Sequence, residues 1–140
     1  MQVLVDTSVW SLALRRPKPA AKASSSPTAL HLAVAQLTDL IQDSRACMLG
    51  AIRQELLSGI KLATQFTALQ TSLRAFEDIA LTQADYELAA EFFNRCRGQG
   101  IQGSNTDFLI CAAASRRELP ILTTDLDFAL FQKHLPIQLY

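Results

Sequence analysis

The sequence has little of what defines several common classes of protein. Its three cysteines, Cys47, Cys96 and Cys111, are widely spaced within apolar runs and form no CxxC pair. We expect them to be small buried side chains in a reducing compartment, with little support for a zinc site. No apolar run is long enough to span a membrane, and the N-terminus lacks the features of a signal peptide. These absences predict a cytoplasmic protein with no membrane partner.

The sequence also has no net charge, no nucleotide-binding motif and only two histidines. Thirteen basic and thirteen acidic residues cancel, so the overall charge does not indicate a nucleic-acid-binding protein. No GxGxxG or GxxxxGK[ST] motif anchors a nucleotide cofactor. The two histidines fit structural roles, His31 beside an apolar helical stripe and His134 near a helix C-terminus. Neither follows a predicted strand, which weakens a Ser-His-Asp or paired-histidine mechanism.

What the sequence does contain is a regular alternation of short apolar strands with helices. Its 140 residues predict a single domain, residues 1–140, with a substantial core. Strands are predicted at residues 2–5, 46–49, 79–81, 121–123 and 137–139. Helices are predicted at residues 27–43, 51–58, 62–76, 83–97, 104–117 and 126–133. This pattern predicts an α/β fold: a three-layer α/β/α sandwich around a central parallel five-stranded sheet.

In the predicted fold, four acidic residues from distant parts of the chain meet at one edge of the sheet. Asp6 and Asp125 follow predicted strands and therefore lie at their carboxyl ends, where ligand sites of such sheets occur. Glu55 lies in the helix that starts at this edge. Asp107 begins a helix of about 20 Å that must run back across the sheet before the fourth strand, so its start lies at the same edge. Asp127 is expected nearby.

Clustered carboxylates repel one another unless a cation or a proton compensates their charge. Mg²⁺ prefers oxygen ligands and keeps bound water, which suits metal-assisted hydrolysis of a phosphodiester. Taken singly, each acid has a simpler explanation: Asp107, Asp125 and Asp6 could each cap a helix, and Glu55 could be a solvated helix residue. Only the joint placement of the four favours a functional site.

Two other segments have open interpretations. The basic residues Arg15, Arg16, Lys18 and Lys22 lie in a Pro- and Ser-rich stretch, residues 15–25, that predicts a mobile loop. Such a segment is usually solvated surface, but here it could hold phosphates near the metal. The apolar stripe of the third helix is expected to be core or a subunit contact; its members are Leu62, Phe66, Leu69, Leu73 and Phe76.

Four motifs, taken in order, resemble those of the PIN-domain family, and within it the VapC toxins of type II toxin–antitoxin pairs. The motifs are "VDTSVW" (residues 5–10), "AIRQELLSG" (51–59), "NTDFLICAAA" (105–114) and "LTTDLDF" (122–128). Each motif holds one of the four acids, and together they span almost the whole chain. One departure is the segment of residues 15–28, which is longer and richer in Ser and Pro than in many relatives, so substrate and antitoxin contacts are not transferred onto it.

The resemblance implies a Mg²⁺- or Mn²⁺-dependent endoribonuclease that acts on RNA. It also implies a homodimer silenced by a small cognate antitoxin. Asp6 and Asp107 would be the primary metal ligands and catalytic residues, with Glu55 and Asp125 completing the cluster.

Three alternatives compete with this interpretation. A phosphatase of the haloacid dehalogenase type would need an acid two residues after Asp6, where this chain has Ser8. A receiver domain would need an adjacent acid pair and a late lysine after a strand, and "TTDLDF" (residues 123–128) offers neither. A catalytically silent PIN-fold module that binds RNA or protein has no positive support, because all four acids are present.

Overall fold

The computed structural model describes residues 1–14 and 26–140. The basic residues 15–22, and the predicted loop of residues 15–25, therefore lie outside the described part of the chain. Within that part, three short strands pair in parallel: β1 (Val3–Val5), β2 (Ala46–Cys47) and β3 (Ile121–Leu122). The first strand is central, in the order β2-β1-β3. It is also fully buried, as expected for a strand covered on both faces.

Most helices begin where the sequence predicts. Their bounds are α1 Thr7–Leu14, α2 Pro27–Gln42, α3 Gly50–Leu57, α4 Ala63–Leu73, α5 Gln83–Gly98, α6 Asn105–Arg117 and α7 Asp127–Gln132. Capping explains the accuracy, because Thr82 and Ser104 both form capping boxes with the acid three residues later. The sequence indicates helix α1 only through the alternative interpretation of Asp6 as a helix cap. In α4, Leu69 and Leu73 are buried in the core, whereas Leu62 just before it is exposed.

The predicted α/β class with a parallel sheet is confirmed, but the described sheet has three strands rather than five. The two outer positions are held by single parallel bridges, Met48 to Asp78 and Ile121 to Leu139. The pairing after Asp78 does not extend because the opposite chain enters α3 at Gly50, two residues after Met48. At the other edge the Leu119 N–H donates to the Ala114 carbonyl at 2.9 Å, so it cannot extend the pairing between Ile121 and Leu139.

The strand order places the helices on two faces. The connection from β1 to β2 runs in one direction across the sheet, and the connection from β2 to β3 runs back past β1 in the other direction. Because crossovers between parallel strands are right-handed, the helices of these two connections lie on opposite faces of the sheet. The packing agrees, since α1 contacts α2 and α3, whereas α5 contacts α6.

Helix α6 is held at its C-terminal end by ion pairs between two of its arginines and one buried carboxylate. The fully buried Asp85, in the first turn of α5, accepts from Arg117 Nη1 and Nη2 at 2.7 and 2.9 Å and from Arg116 Nη1 at 2.8 Å. The hydrogen bonds from Arg117 hold the pKa of Asp85 well below its usual range. The middle of α6 is buried on all sides, from Phe108 to Ala114. Its N-terminal end is thereby fixed in place, and it carries Asp107.

Candidate active site

All four predicted acids line one cleft at the carboxyl edge of the sheet. Asp6 directly follows β1, Glu55 lies in α3 and Asp107 in α6. Asp125 belongs to the segment after β3, and Asp127 at the start of α7 joins them. The cleft has a volume of about 520 Å³. The structure thus brings these side chains to one surface, as the sheet topology requires. Their catalytic and metal-binding roles remain predictions.

Asp6 is the most buried acid of the cleft and is held by two hydroxyl groups. Ser8 Oγ donates to Asp6 Oδ2 at 2.7 Å, and Thr123 Oγ1 donates to the same oxygen at 2.8 Å. Backbone groups orient both hydroxyls: Thr124 N–H donates to Ser8 Oγ at 3.1 Å, and Asp125 N–H donates to Thr123 Oγ1 at 2.9 Å. Because each hydroxyl oxygen already accepts one hydrogen bond, its own proton is directed toward Asp6.

The surroundings of Asp6 make its negative charge costly. Burial, together with the charge of Asp107, raises the pKa of Asp6 to about 6, although the hydroxyls of Ser8 and Thr123 act in the opposite direction. A nearby cation would reverse the effect by favouring the ionised form. The cleft therefore contains a carboxylate whose ionisation depends on what binds beside it.

Asp107 serves two purposes at once. Its Oδ2 accepts from the Ser104 backbone N–H at 3.0 Å, while its own N–H donates to Ser104 Oγ at 3.0 Å, so it completes the capping box of α6. The same side chain lines the cleft and adds to the electrostatic cost of ionising Asp6. The capping and the site interpretations of Asp107 are thus compatible. The box fixes the position of the carboxylate.

Glu55 is tied to the start of α1. Thr7 Oγ1 donates to Glu55 Oε1 at 2.6 Å, across 48 positions of sequence. Helix α3 is itself anchored by Arg53, which donates to Asp78 Oδ1 at 3.0 Å, to the Leu73 carbonyl at 2.9 Å and to the Phe76 carbonyl. These contacts orient the helix that carries Glu55 toward the cleft.

The segment after β3 folds into a tight turn. Asp125 Oδ1 accepts from the Asp127 N–H at 2.9 Å, at the first residue of α7. Asp125 therefore fixes the turn that leads into α7, whose N-cap is Leu126, and its side chain also lines the cleft. The turn places Asp125 and Asp127 beside Asp6, since the Asp125 N–H is bonded to the hydroxyl that supports Asp6.

The donor set suits a hard divalent cation, because carboxylate oxygens are the ligands that Mg²⁺ and Mn²⁺ prefer. In this conformation, however, no three acidic, histidine or cysteine side chains among residues 1–14 and 26–140 converge closely enough to share an ion. Binding would therefore require side-chain rotations that draw carboxylates together. Mg²⁺ typically binds through one or two carboxylates and keeps several waters, so few such rotations are required.

A model of the PIN domain matches residues 3–133. The chain belongs to the PIN domain family. Members of this family are generally nucleases, so membership supports nuclease activity. No curated protein matches the sequence significantly.

Two solved structures share the fold over nearly their whole length. A chain of FitAcB from Neisseria gonorrhoeae is 19% identical, with a TM-score of 0.70 over 99% of this chain and 96% of that one. A chain of VapBC2 from Rickettsia felis, bound to a DNA fragment from their promoter, is 17% identical, with a TM-score of 0.73 over 100% of this chain and 98% of that one. At these identities the likeness shows the PIN fold alone.

Several residues of this PIN-domain cleft were not predicted from the sequence. Thr7, Ser8 and Thr123 supply the hydroxyls that hold Asp6 and Glu55, and Arg97 contributes a cation to the cleft wall. A weak signal was present, because hydroxyl residues flank the first and fourth acids in "DTS" and "TTD". Gly103 also lines the cleft, and nothing in its sequence context distinguishes it from the neighbouring loop glycines.

The remaining sequence-level predictions have mixed outcomes. Cys47, Cys96 and Cys111 are free and buried, as predicted. His31 is exposed and His134 half-buried, and neither lines the cleft. No helix among the described residues is both long and apolar enough to cross a membrane.

Proposed function

We propose that this PIN domain is a metal-dependent endoribonuclease that acts as the toxin of a toxin–antitoxin pair. The observation that carries the proposal is the single cleft lined by Asp6, Glu55, Asp107 and Asp125, with Asp6 buried beside the charge of Asp107. A cleft of this composition attracts a divalent cation and, through it, a phosphodiester.

Asp6 and Asp107 would hold Mg²⁺ or Mn²⁺, with Glu55 and Asp125 at its periphery. When bound, the ion supplies an activated water and stabilises negative charge on a phosphoryl oxygen. Ser8 and Thr123 hold the Asp6 carboxylate in one orientation through Oδ2. Arg97, on the cleft wall, can pair with a phosphate of the RNA backbone.

Beyond nuclease activity, the proposal includes a toxin role and specific partners. One of the solved structures with this fold is named VapBC2, which agrees with the resemblance of the four motifs to VapC toxins. We therefore propose a small cognate antitoxin as protein partner, a homodimer as the active form, and the cytoplasm as the location. Inducing the wild-type protein in a bacterial host should arrest growth, whereas inducing the Asp6→Asn variant should not.

The nuclease itself is tested with mixed structured RNAs in Mg²⁺, Mn²⁺ or chelator. Cleavage should require the ion, and Asp125→Asn should lower the single-turnover rate at saturating RNA by about 10- to 100-fold or more. Asp39→Asn, which removes an exposed acid of α2, is the matched control and should cleave normally. Equal cleavage in chelator would refute the metal-dependent mechanism. RNA binding without cleavage under any condition would instead favour the silent PIN-fold module.

A further inference from the structure

A second pocket opens beside the acidic cleft, between α5 and α6. It has a volume of about 440 Å³, within the usual range for small-ligand sites. Tyr86, Phe93 and Phe108 give it aromatic walls, and Asn94 and Asn105 add two side-chain amides. The proposed nuclease mechanism uses none of these five residues.

The pocket and the cleft share structural elements. Asn105, at the start of α6, lines the pocket, while Asp107 two residues later lines the cleft. Arg97 lines the cleft, and its guanidinium carbon lies 5.1 Å from the ring centroid of Phe93 in the pocket wall. A ligand that extends from one site into the other would therefore pass Arg97.

The lining indicates a flat, neutral ligand with polar edges. Among residues 1–14 and 26–140, no charged residue contributes to the wall of the pocket, which disfavours a phosphate or a carboxylate inside it. Phe93 and Phe108 pack edge to face with centroids 5.5 Å apart, and Tyr86 is 57% exposed at the surface, where its ring is accessible to stacking. The exposed amides of Asn94 and Asn105 can each donate and accept hydrogen bonds.

We propose that this pocket binds one unstacked base of single-stranded RNA, adjacent to the phosphodiester in the acidic cleft. RNA is recognised in this way when a splayed base stacks on aromatic side chains and amides bond to its edges. Arg97 then lies between the base site and the catalytic acids, where the connecting phosphate must run. The inference rests on the proposed function for the identity of the ligand, and it adds a site that selects which phosphodiester is cut.

The test is an equilibrium binding experiment with RNA octanucleotides that carry a single abasic site at each position in turn. The full-length Asp6→Asn variant serves as the background, so that RNA is not cut. At one position, loss of the base should weaken binding by roughly 5- to 150-fold, the range for base–aromatic stacking. When Tyr86→Ala is added, removal of the base at that position should no longer weaken binding, because the base then has no ring to stack on. Tyr86→Phe should restore it.

Tyr140→Ala is the matched control, since it removes another exposed tyrosine, which does not line the pocket. It should leave the abasic profile unchanged. The proposal is overturned if the octanucleotides do not bind, if no abasic position matters, or if the profile is the same with and without Tyr86. It is also overturned if Tyr86→Ala changes only the oligomeric state in light scattering, since the pocket would then be a contact between copies of the chain. Base-dependent binding by a wild-type protein that cleaves no RNA would retain the pocket and refute the nuclease.

Discussion

At the scale of single residues, Asp6 shows how the site sets two effects against each other. Its carboxylate is 4% exposed, and burial disfavours the charged form. The hydroxyls of Ser8 and Thr123 donate to it and favour the charged form, yet burial dominates and the pKa rises to about 6. The folded protein thus holds a carboxylate whose charge is unfavourable until a cation arrives.

This balance predicts how Asp6 affects stability in chelator. Because its pKa is raised from about 4 in the unfolded chain, the folded protein binds the extra proton between about pH 4 and 6, and stability falls as pH rises through that window. Ionised Asp6 then lowers the free energy of unfolding by about 3 kcal/mol at neutral pH. We therefore expect Asp6→Asn to be about 1–3 kcal/mol more stable than wild type at pH 7.5, with little difference near pH 4. Urea unfolding at both pH values measures this, and a difference that does not change with pH would contradict it.

The individual acids could be predicted from the sequence, whereas the hydroxyls that support them could not. Asp6 and Asp125 were found because acids that follow predicted strands must lie at the carboxyl edge. The pairing of Thr123 with Asp6 crosses 117 positions, and it depends on where β3 ends relative to β1. A register of that kind depends on tertiary packing, which no local pattern encodes.

At the scale of elements, helix starts were predicted better than strand lengths. Caps are local: Ser26, Thr82 and Ser104 each bond within three residues, so their sequence signals are complete. Strand length depends on the neighbouring strand. The outer segments at Asp78 and Leu139 make only single bridges, because α3 begins at Gly50 opposite the first and the Leu119 N–H opposite the second is bonded to Ala114.

Gly103 gives a prediction at this scale, because it lies just before α6 and has no room for a side chain. A Cβ there would lie 2.7 Å from Phe131 Cζ and 3.0 Å from Phe108 Cε2 and Cζ, all in buried rings. Gly103→Ala should therefore lower the free energy of unfolding by about 1–3 kcal/mol. It should also shift the start of α6, and with it Asp107, which would lower the single-turnover cleavage rate by up to about 100-fold.

Gly98→Ala is the matched control, because a Cβ at that position in α5 meets no atom of the described residues within 4 Å. It should leave cleavage unchanged and keep stability equal or up to about 1 kcal/mol higher. Thermal unfolding and single-turnover cleavage of both variants make the comparison. If the two variants behave alike, close packing at Gly103 does not position the acid.

At the scale of the whole molecule, the fold concentrates charge that the composition conceals. The net charge is zero, yet in the described part of the chain five acids and one arginine line a single cleft. Helix α6 connects this cleft to the ion pairs that Arg116 and Arg117 form with the buried Asp85 at its other end. Because the middle of α6 is buried in the core, binding at the cleft is coupled to the stability of the whole domain.

That coupling predicts that Mn²⁺ stabilises the protein against unfolding. An ion that binds only the folded state adds about 2.7 kcal/mol at 100 times its dissociation constant, so the melting temperature should rise with Mn²⁺ concentration. The rise should shrink below about pH 6, because protonated Asp6 is a poor ligand. It should be lost in Asp6→Asn and Asp107→Asn but kept in Asp39→Asn, whose acid is exposed on α2.

Thermal unfolding at constant ionic strength separates this specific effect from screening, which would act equally on the wild type and the three variants. If all four melting temperatures rise together, the acids do not share an ion, and the proposed metal-dependent mechanism would have no site.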